Sequence, residues 1–501
     1  MTALDVDVLI IGSGLSGIDM ACRMTQSVPD HTFAILEARP ASGGTWDLFR
    51  YPGIRSDSDM YTLAFPFRPW TNPKSIADGP AILSYLRETA TAYGIDDRIH
   101  YGHKVIAADW SSEAQCWTVT ADTADGAVEH TARFLYLATG YYDYDRGHVV
   151  DFPGQDDFAG TIVHPQFWPD DLDVQGKRIV VIGSGATAVT LVPALVTEGA
   201  THVTMLQRSP TFMISLPGAD PVAKAAFAVL PDRAAHRVLR AKNVGFNVGS
   251  YLFAQRFPRV TRAALTKGVE AKLPKGYAVG RHFNPRYDPW DERLCVVPDA
   301  DLFDAVSAGH AQIVTDTIDT FTQAGIRTSS GEELEADIIV TATGLELVPA
   351  GNITVSIDGE AKDLHEGYVY KGLMLSGIPN IAWVVGYTNN SWTLRADLAA
   401  KWTCRLLRHL NEGGFTSVVP RYDGNAEDDR PVIDMSSGYI QRAAGILPKQ
   451  GSRRPWVLKQ NYFHDLLSMG SRRFEDGHLE FVRGASPSKE RSVAGQTQGH
   501  H

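Results

Sequence analysis

Unbroken apolar runs recur along the chain, and several stop abruptly at glycine. VDVLIIGSG (Val6 to Gly14) and RIVVIGSG (Arg178 to Gly185) are each followed by residues with helical spacing, LSGIDMACRM and ATAVTLVPAL. Apolar runs of this length bounded by a glycine turn predict buried strands feeding helices. FAILEAR (Phe33 to Arg39) and HVTMLQRSP (His202 to Pro210) supply a next strand in each half. HKVIAADW and CWTVTADT alternate as half-buried strands do. FLYLATG and ADIIVTATG end alike, in Ala138-Thr139-Gly140 and Ala342-Thr343-Gly344, small residues that let a strand end turn tightly. The pattern predicts an α/β fold of two Rossmann-like domains that echo one another.

The glycines carry the first chemistry. Gly12-x-Gly14-x-x-Gly17 follows a strand and opens a helix, and Glu37 closes the next strand twenty residues beyond Gly17. Glycine lets the backbone approach a pyrophosphate, the helix N-terminus offers NH donors, and the acid accepts from ribose hydroxyls. A bare tight turn would not require that acid. The second fingerprint, Gly183-x-Gly185-x-x-Ala188, presents Arg208 and Ser209 where the first has Glu37. A carboxylate there would repel a 2′-phosphate and Arg binds it bidentately, so NADPH is expected over NADH. The alternative is that Arg208 is a solvated strand-end charge.

Three further clusters make a resemblance specific. The first is Gly43-Gly44-Thr45-Trp46, running on through Tyr51-Pro52-Gly53 to Asp57. The second is Phe158-x-Gly160-x-x-x-His164-x-x-x-Trp168-Pro169. The third is NPRYDPWDERLC, from Asn284 to Cys295, which contains Arg293. Together they resemble the long motif, the short motif and the arginine segment of the Baeyer–Villiger monooxygenases, class B flavoprotein monooxygenases, and the similarity runs through nearly the whole chain. The segment around Arg293 is most similar to that of bacterial members oxidising ketones and the sulfur of thioamides or thioethers. Taken bare, His164 reads as a hydrogen-bonded structural histidine and Trp168 as a packing anchor. One departure stands out: where many members carry lysine just before the arginine, this chain has Glu292.

The resemblance implies FAD and NADPH as cofactors, and O2 with a small neutral ketone or thioether as reactants. Ketones would become esters or lactones through a C4a-peroxyflavin, with Arg293 and Asp57 catalytic. A guanidinium cannot act as a stray acid and its field stabilises an anionic oxygen nucleophile, while Asp57 orients it. Candidate FAD contacts are Gly12, Gly14, Ser16, Gly17, Glu37, Gly44, Thr45, Trp46, Asp57 and Val105. Candidate NADP contacts are Arg55, Ser56, Gly183, Ser184, Gly185, Thr187, Ala188, Arg208 and Ser209. The linker motif, Phe158 to Pro169, is implied to couple domain motion to the cofactor. Rival readings are a flavin-containing S- or N-oxygenase without Baeyer–Villiger activity, and a non-catalytic flavoprotein.

The expected division is residues 1–142 as the first part of an FAD domain, 143–342 as an NADP domain interrupted by a helical insertion at about 212–289, 343–484 as the rest of the FAD domain, and 485–501 as a polar, disordered tail. Within the insertion, Ala223 to Phe257 is mildly basic and apolar. It reads first as a helical lid packed on the core and second as a surface-seeking amphipathic element.

Composition narrows the partners. With 47 basic and 58 acidic residues the net charge is −11, which disfavours nucleic acid or an anionic membrane surface as the main partner. Cys22, Cys116, Cys295 and Cys404 form no CxxC pair, so neither a disulfide-reductase dithiol nor a zinc site is expected, and no metal of any kind. Acidic residues instead of a basic n-region precede the first apolar run, no stretch is long enough to span a bilayer, and a cytoplasmic location is expected.

Overall fold

The structure, a computed structural model, describes residues 2–292, 294–424, 429–433 and 438–484. The expected tail at 485–501 lies outside the described residues.

Strand Asp5–Ile11 is the centre of the larger sheet. Phe33–Glu37 and then Ile99–Tyr101 lie parallel on one side of it, with Gly126–Leu137 and Ile381–Trp383 parallel on the other. An antiparallel meander, Lys104–Ser111, Cys116–Thr123 and Gly126–Leu137, extends the sheet to Thr354–Ile357. The second sheet is wholly parallel, in the order Ala311–Thr315, His202–Gln207, Arg178–Ile182, Ile338–Thr341, Thr161–Val163.

Both sheets are covered on both faces, which is why their central strands read as unbroken apolar runs. Side chains alternate across a strand. Val8 and Ile10 therefore enter one core, with the helix Leu15–Ser27, while Leu9 and Ile11 enter another around Trp110 and Trp117. In the second sheet Ile179 and Val181 pack toward the helix Ala186–Thr197, and Val180 and Ile182 pack on Phe321 and Ile326.

The chain passes between the sheets along Tyr142–Gly147 and returns along Leu345–Leu347. These two crossings pair antiparallel, Gly147 opposite Leu345 and Tyr142 opposite Leu347. Beside them Thr343 Oγ1 donates to the His148 carbonyl at 3.0 Å, and His148 Nδ1 lies 3.3 Å from a Glu346 carboxylate oxygen.

The excursion expected to be helical contains the helices Pro221–Val229, Asp232–Arg256, Pro258–Glu270 and Val279–His282. It opens instead with a strand, Met213–Leu216, paired in parallel with Cys295–Pro298. Pro210 and Pro217 bracket that short run and keep helix out of it.

Candidate functional site

A cavity of about 1160 Å³ runs from the first glycine fingerprint to the second. Gly12, Gly14, Ser16, Glu37, Gly44, Thr45, Trp46 and Val105 line one end of it; Gly183, Ser184, Gly185, Thr187, Arg208 and Ser209 line the other. Arg55, Ser56 and Asp57 lie on the wall between. Gly17 and Ala188 are buried in the fingerprint helices behind that lining.

At the first end the backbone is packed against itself. Gly12 has φ +101°, and a Cβ there would stand 2.6 Å from the Ala138 carbonyl oxygen; at Gly17 it would stand 1.9 Å from the Gly12 carbonyl oxygen. Gly44, with φ +56°, comes close enough to Gly14 that a Cβ on it would be 2.9 Å from the Gly14 Cα. Only glycine fits these contacts. Glu37 is buried, and one carboxylate oxygen accepts from the Ser13 NH and Oγ, both at 2.8 Å, while the other accepts from the Arg39 NH at 2.9 Å. Its direction is thereby set before any ligand arrives.

The glycine-aromatic loop ties the two fingerprints together. Gly53, at φ +72°, presses so closely on the second fingerprint helix that a Cβ would be 2.6 Å from the Ala194 methyl. Tyr51 hydrogen-bonds Thr187 on the same helix, and burial pushes its phenol up to about 12, aided by the charge of Asp57. Arg55 is ion-paired with Asp301 at the start of the helix Asp301–Ser307. Asp57 is half-buried on the cavity wall. Arg293, the expected catalytic arginine, lies outside the described residues.

The second end is more open. A Cβ on Gly185 would meet nothing within 4 Å, and Arg208 and Ser209 are exposed at the end of their strand. Glu292 lines the cavity here; burial and then Asp291 push its carboxyl above the ordinary range, while Arg208 pulls it down.

The linker motif is set apart from the cavity lining. Phe158 packs edge-on against Phe321, and a Cβ at Gly160 would stand 2.4 Å from the Asp337 carbonyl oxygen. Trp168 packs at the margin of the second domain's core, with Pro169 half-buried beside it. The His164 ring fills the space over Gly147, at the end of the outgoing crossing, and Nδ1 accepts from the Gln166 NH at 3.2 Å. Burial lowers its pKa, so the ring is neutral at neutral pH.

Sequence reasoning missed several residues of the wall. Tyr141 stacks on Trp392, ring centres 5.0 Å apart, and the Trp392 indole donates to Ser16 Oγ at 2.9 Å. Trp392 is 376 positions from Ser16 in sequence, and no local pattern announces such a contact. Tyr141 directly follows the Ala138-Thr139-Gly140 strand-end turn, the one local signal that could have pointed to it.

The fold is that of the two-dinucleotide-domain flavoenzymes. A family model described as pyridine nucleotide-disulphide oxidoreductase matches residues 9–219. The disulphide part of that description has no counterpart here: the four cysteines form no disulfide, and burial pushes the Cys404 thiol up to about 12. Among solved structures, oxidised steroid monooxygenase bound to NADP superposes with a TM-score of 0.78 at 21% identity, over 96% of this chain and 100% of that one. Cyclohexanone-bound cyclohexanone monooxygenase superposes at 0.74 and 19% identity, over 96% and 100%. The FAD-containing monooxygenase EthA of Mycolicibacterium smegmatis is 52% identical over 477 residues, 95% of this chain and 97% of that protein. The chain belongs to the FAD-containing monooxygenase family. It is an FAD-dependent oxidoreductase that inserts oxygen.

Proposed function

We propose that this monooxygenase consumes NADPH and converts ketones to esters or lactones, with thioether sulfoxidation as a second activity of the same site. The observation that carries the reading is the single cavity that joins both fingerprints and has Asp57 on its wall between them. Steroid monooxygenase bound to NADP and cyclohexanone monooxygenase bound to cyclohexanone, which share the fold, give the reading its cofactor and substrate class.

The first end suits FAD: its glycines leave room where a Cβ would clash, and Glu37 is held ready for ribose hydroxyls. Bound FAD supplies hydride acceptance from NADPH and activation of O2. The chain's own residues do the rest. Gly12, Gly14, Gly44 and Thr45 cradle the flavin nucleotide with backbone NH groups, and Trp46 and Val105 wall it in. Arg208 and Ser209 bind the 2′-phosphate, with the fingerprint Gly183 to Ala188 under the pyrophosphate. Asp57 orients Arg293, and the guanidinium stabilises the oxyanion formed when the ketone carbonyl is attacked. The linker motif, whose His164 packs over Gly147 at the end of the outgoing crossing, guides the relative motion of the two nucleotide sites.

The domain division expected from sequence belongs to the same proposal, supported by Thr354–Ile357 and Ile381–Trp383 returning to the first sheet. A cytoplasmic location is likewise proposed, supported by the absence of any disulfide. No described helix is long and apolar enough to cross a membrane.

The test is incubation with NADPH, isotopically heavy dioxygen, cyclohexanone and, separately, methyl phenyl sulfide. Lactone carrying one heavy oxygen is expected. Sulfoxide without lactone from any ketone would make the protein an S-oxygenase, and no NADPH-driven product at all would make it a non-catalytic flavoprotein. Arg293→Ala is expected to abolish lactone formation with flavin still bound; retained lactone would overturn its role.

A further inference from the structure

The helical insertion presents an apolar surface where a globular protein ordinarily presents charge. In the helix Asp232–Arg256, Leu239, Asn243, Val244 and Val248 face inward. The opposite stripe, at helical spacing, consists of Val238, Lys242, Gly245, Phe246, Gly249, Leu252, Phe253 and Arg256. Phe246 is 61% exposed, Leu252 51% and Phe253 50%, and Val260 on the next helix is 57% exposed. From Asn243 to Gln255 there is no charged residue at all. A solvated helix face would carry charges at these positions.

The surroundings of this stripe are cationic. Between Pro221 and Lys275 stand eleven Lys and Arg against two acidic residues, in a chain whose net charge is −11. Arg240 and Arg262 turn inward, the first onto the carbonyls of Tyr61, Thr62 and Ala64. Arg233, Arg237, Arg256, Arg259, Lys267 and Lys272 are exposed in this same helical segment, Arg256 on the stripe itself. An exposed apolar stripe on a strongly cationic segment complements one kind of surface, the interface of an anionic bilayer.

We propose that this face docks the enzyme on an anionic phospholipid membrane as a peripheral protein, Phe246, Leu252 and Phe253 entering the headgroup region and the cations pairing with lipid phosphates. A second copy of the chain fits less well, because facing copies would bring these cations together. The docking face is mechanically joined to the site. Arg262 donates to the Tyr287 carbonyl at 2.6 Å and to Asp288 at 3.2 Å, and Tyr251 lies edge-on to Trp290, in the segment that leads to Glu292. Asn247 donates to Asn390 on the cavity wall at 3.3 Å.

The experiment is co-sedimentation of the FAD-loaded enzyme with vesicles of phosphatidylcholine alone or mixed with phosphatidylglycerol. Binding to the mixed vesicles, weakened by salt, is expected. Phe253→Glu and Phe246→Glu should each lower the partition constant about tenfold, and Arg256→Glu roughly fivefold at low salt, with flavin content unchanged. Failure to bind either vesicle overturns the proposal. So does equal, salt-insensitive binding to neutral vesicles. A dimer in sedimentation velocity that Phe253→Glu splits, without vesicle binding, would reassign the face to contact between copies.

Discussion

The two glycine fingerprints share a design and differ in how tightly it is closed. In each a strand-final alanine carbonyl, Ala138 or Ala342, presses on the first glycine, where a Cβ would stand 2.6 Å or 2.4 Å from the oxygen. Beyond that point they diverge. Gly14 lies under Gly44, Ser13 is buried and Glu37 is fixed by three hydrogen bonds, whereas Gly185 is exposed with nothing near it and Arg208 reaches into solvent. A closed, preorganised cradle suits a cofactor that stays through many turnovers. An open one suits a nucleotide that must exchange.

The sharpest way to break this contrast is a methyl on each cradle. Gly17→Ala places a Cβ against the Gly12 carbonyl and is expected to cost about 3 kcal/mol and most of the bound flavin. Gly185→Ala is expected to leave flavin content and melting temperature nearly unchanged. Flavin absorbance per chain and Tm measure both, and equal effects would erase the distinction.

A smaller effect is expected at the open end. Arg208→Ala removes the charge-assisted contact proposed with the 2′-phosphate and should raise the NADPH KM roughly 10- to 100-fold with little change for NADH. Equal effects on the two nucleotides would return Arg208 to a solvated strand-end charge.

Glu292 sharpens the same point through pH. Its pKa is raised by burial and by Asp291, so the carboxyl is neutral further up the pH scale than an exposed glutamate. As pH rises through that raised value the side chain gains a negative charge beside Arg208. The NADPH KM should then climb by about threefold from the acid side, and Glu292→Gln should flatten the profile. A profile identical in the variant would dissociate Glu292 from nucleotide binding.

An effect of comparable size belongs to the closed end. Trp392→Phe keeps the ring over Tyr141 but loses the indole donor to Ser16, about 1 kcal/mol, and should weaken FAD binding about fivefold in a flavin-release titration.

Much of this was legible in the chain itself. Alternation and apolar runs marked the central strands of both sheets, because strands covered on two faces must be apolar throughout. The glycine spacing located both cradles, because only glycine tolerates the backbone approaches at Gly12 and Gly17. The acid or base at the end of the second strand separated Glu37 from Arg208. Tertiary structure alone decided what lay between. Trp392 meets Ser16 and Gly53 meets Ala194 across long stretches of sequence, and Tyr142–Gly147 finds Leu345–Leu347 only once both sheets have formed. The balance between lid and surface-seeking helix in the insertion was also left open by periodicity. One stripe of Asp232–Arg256 packs inward as a lid would, and the other remains apolar and exposed, because a helix has two faces and the sequence pattern does not say which of them the rest of the chain covers.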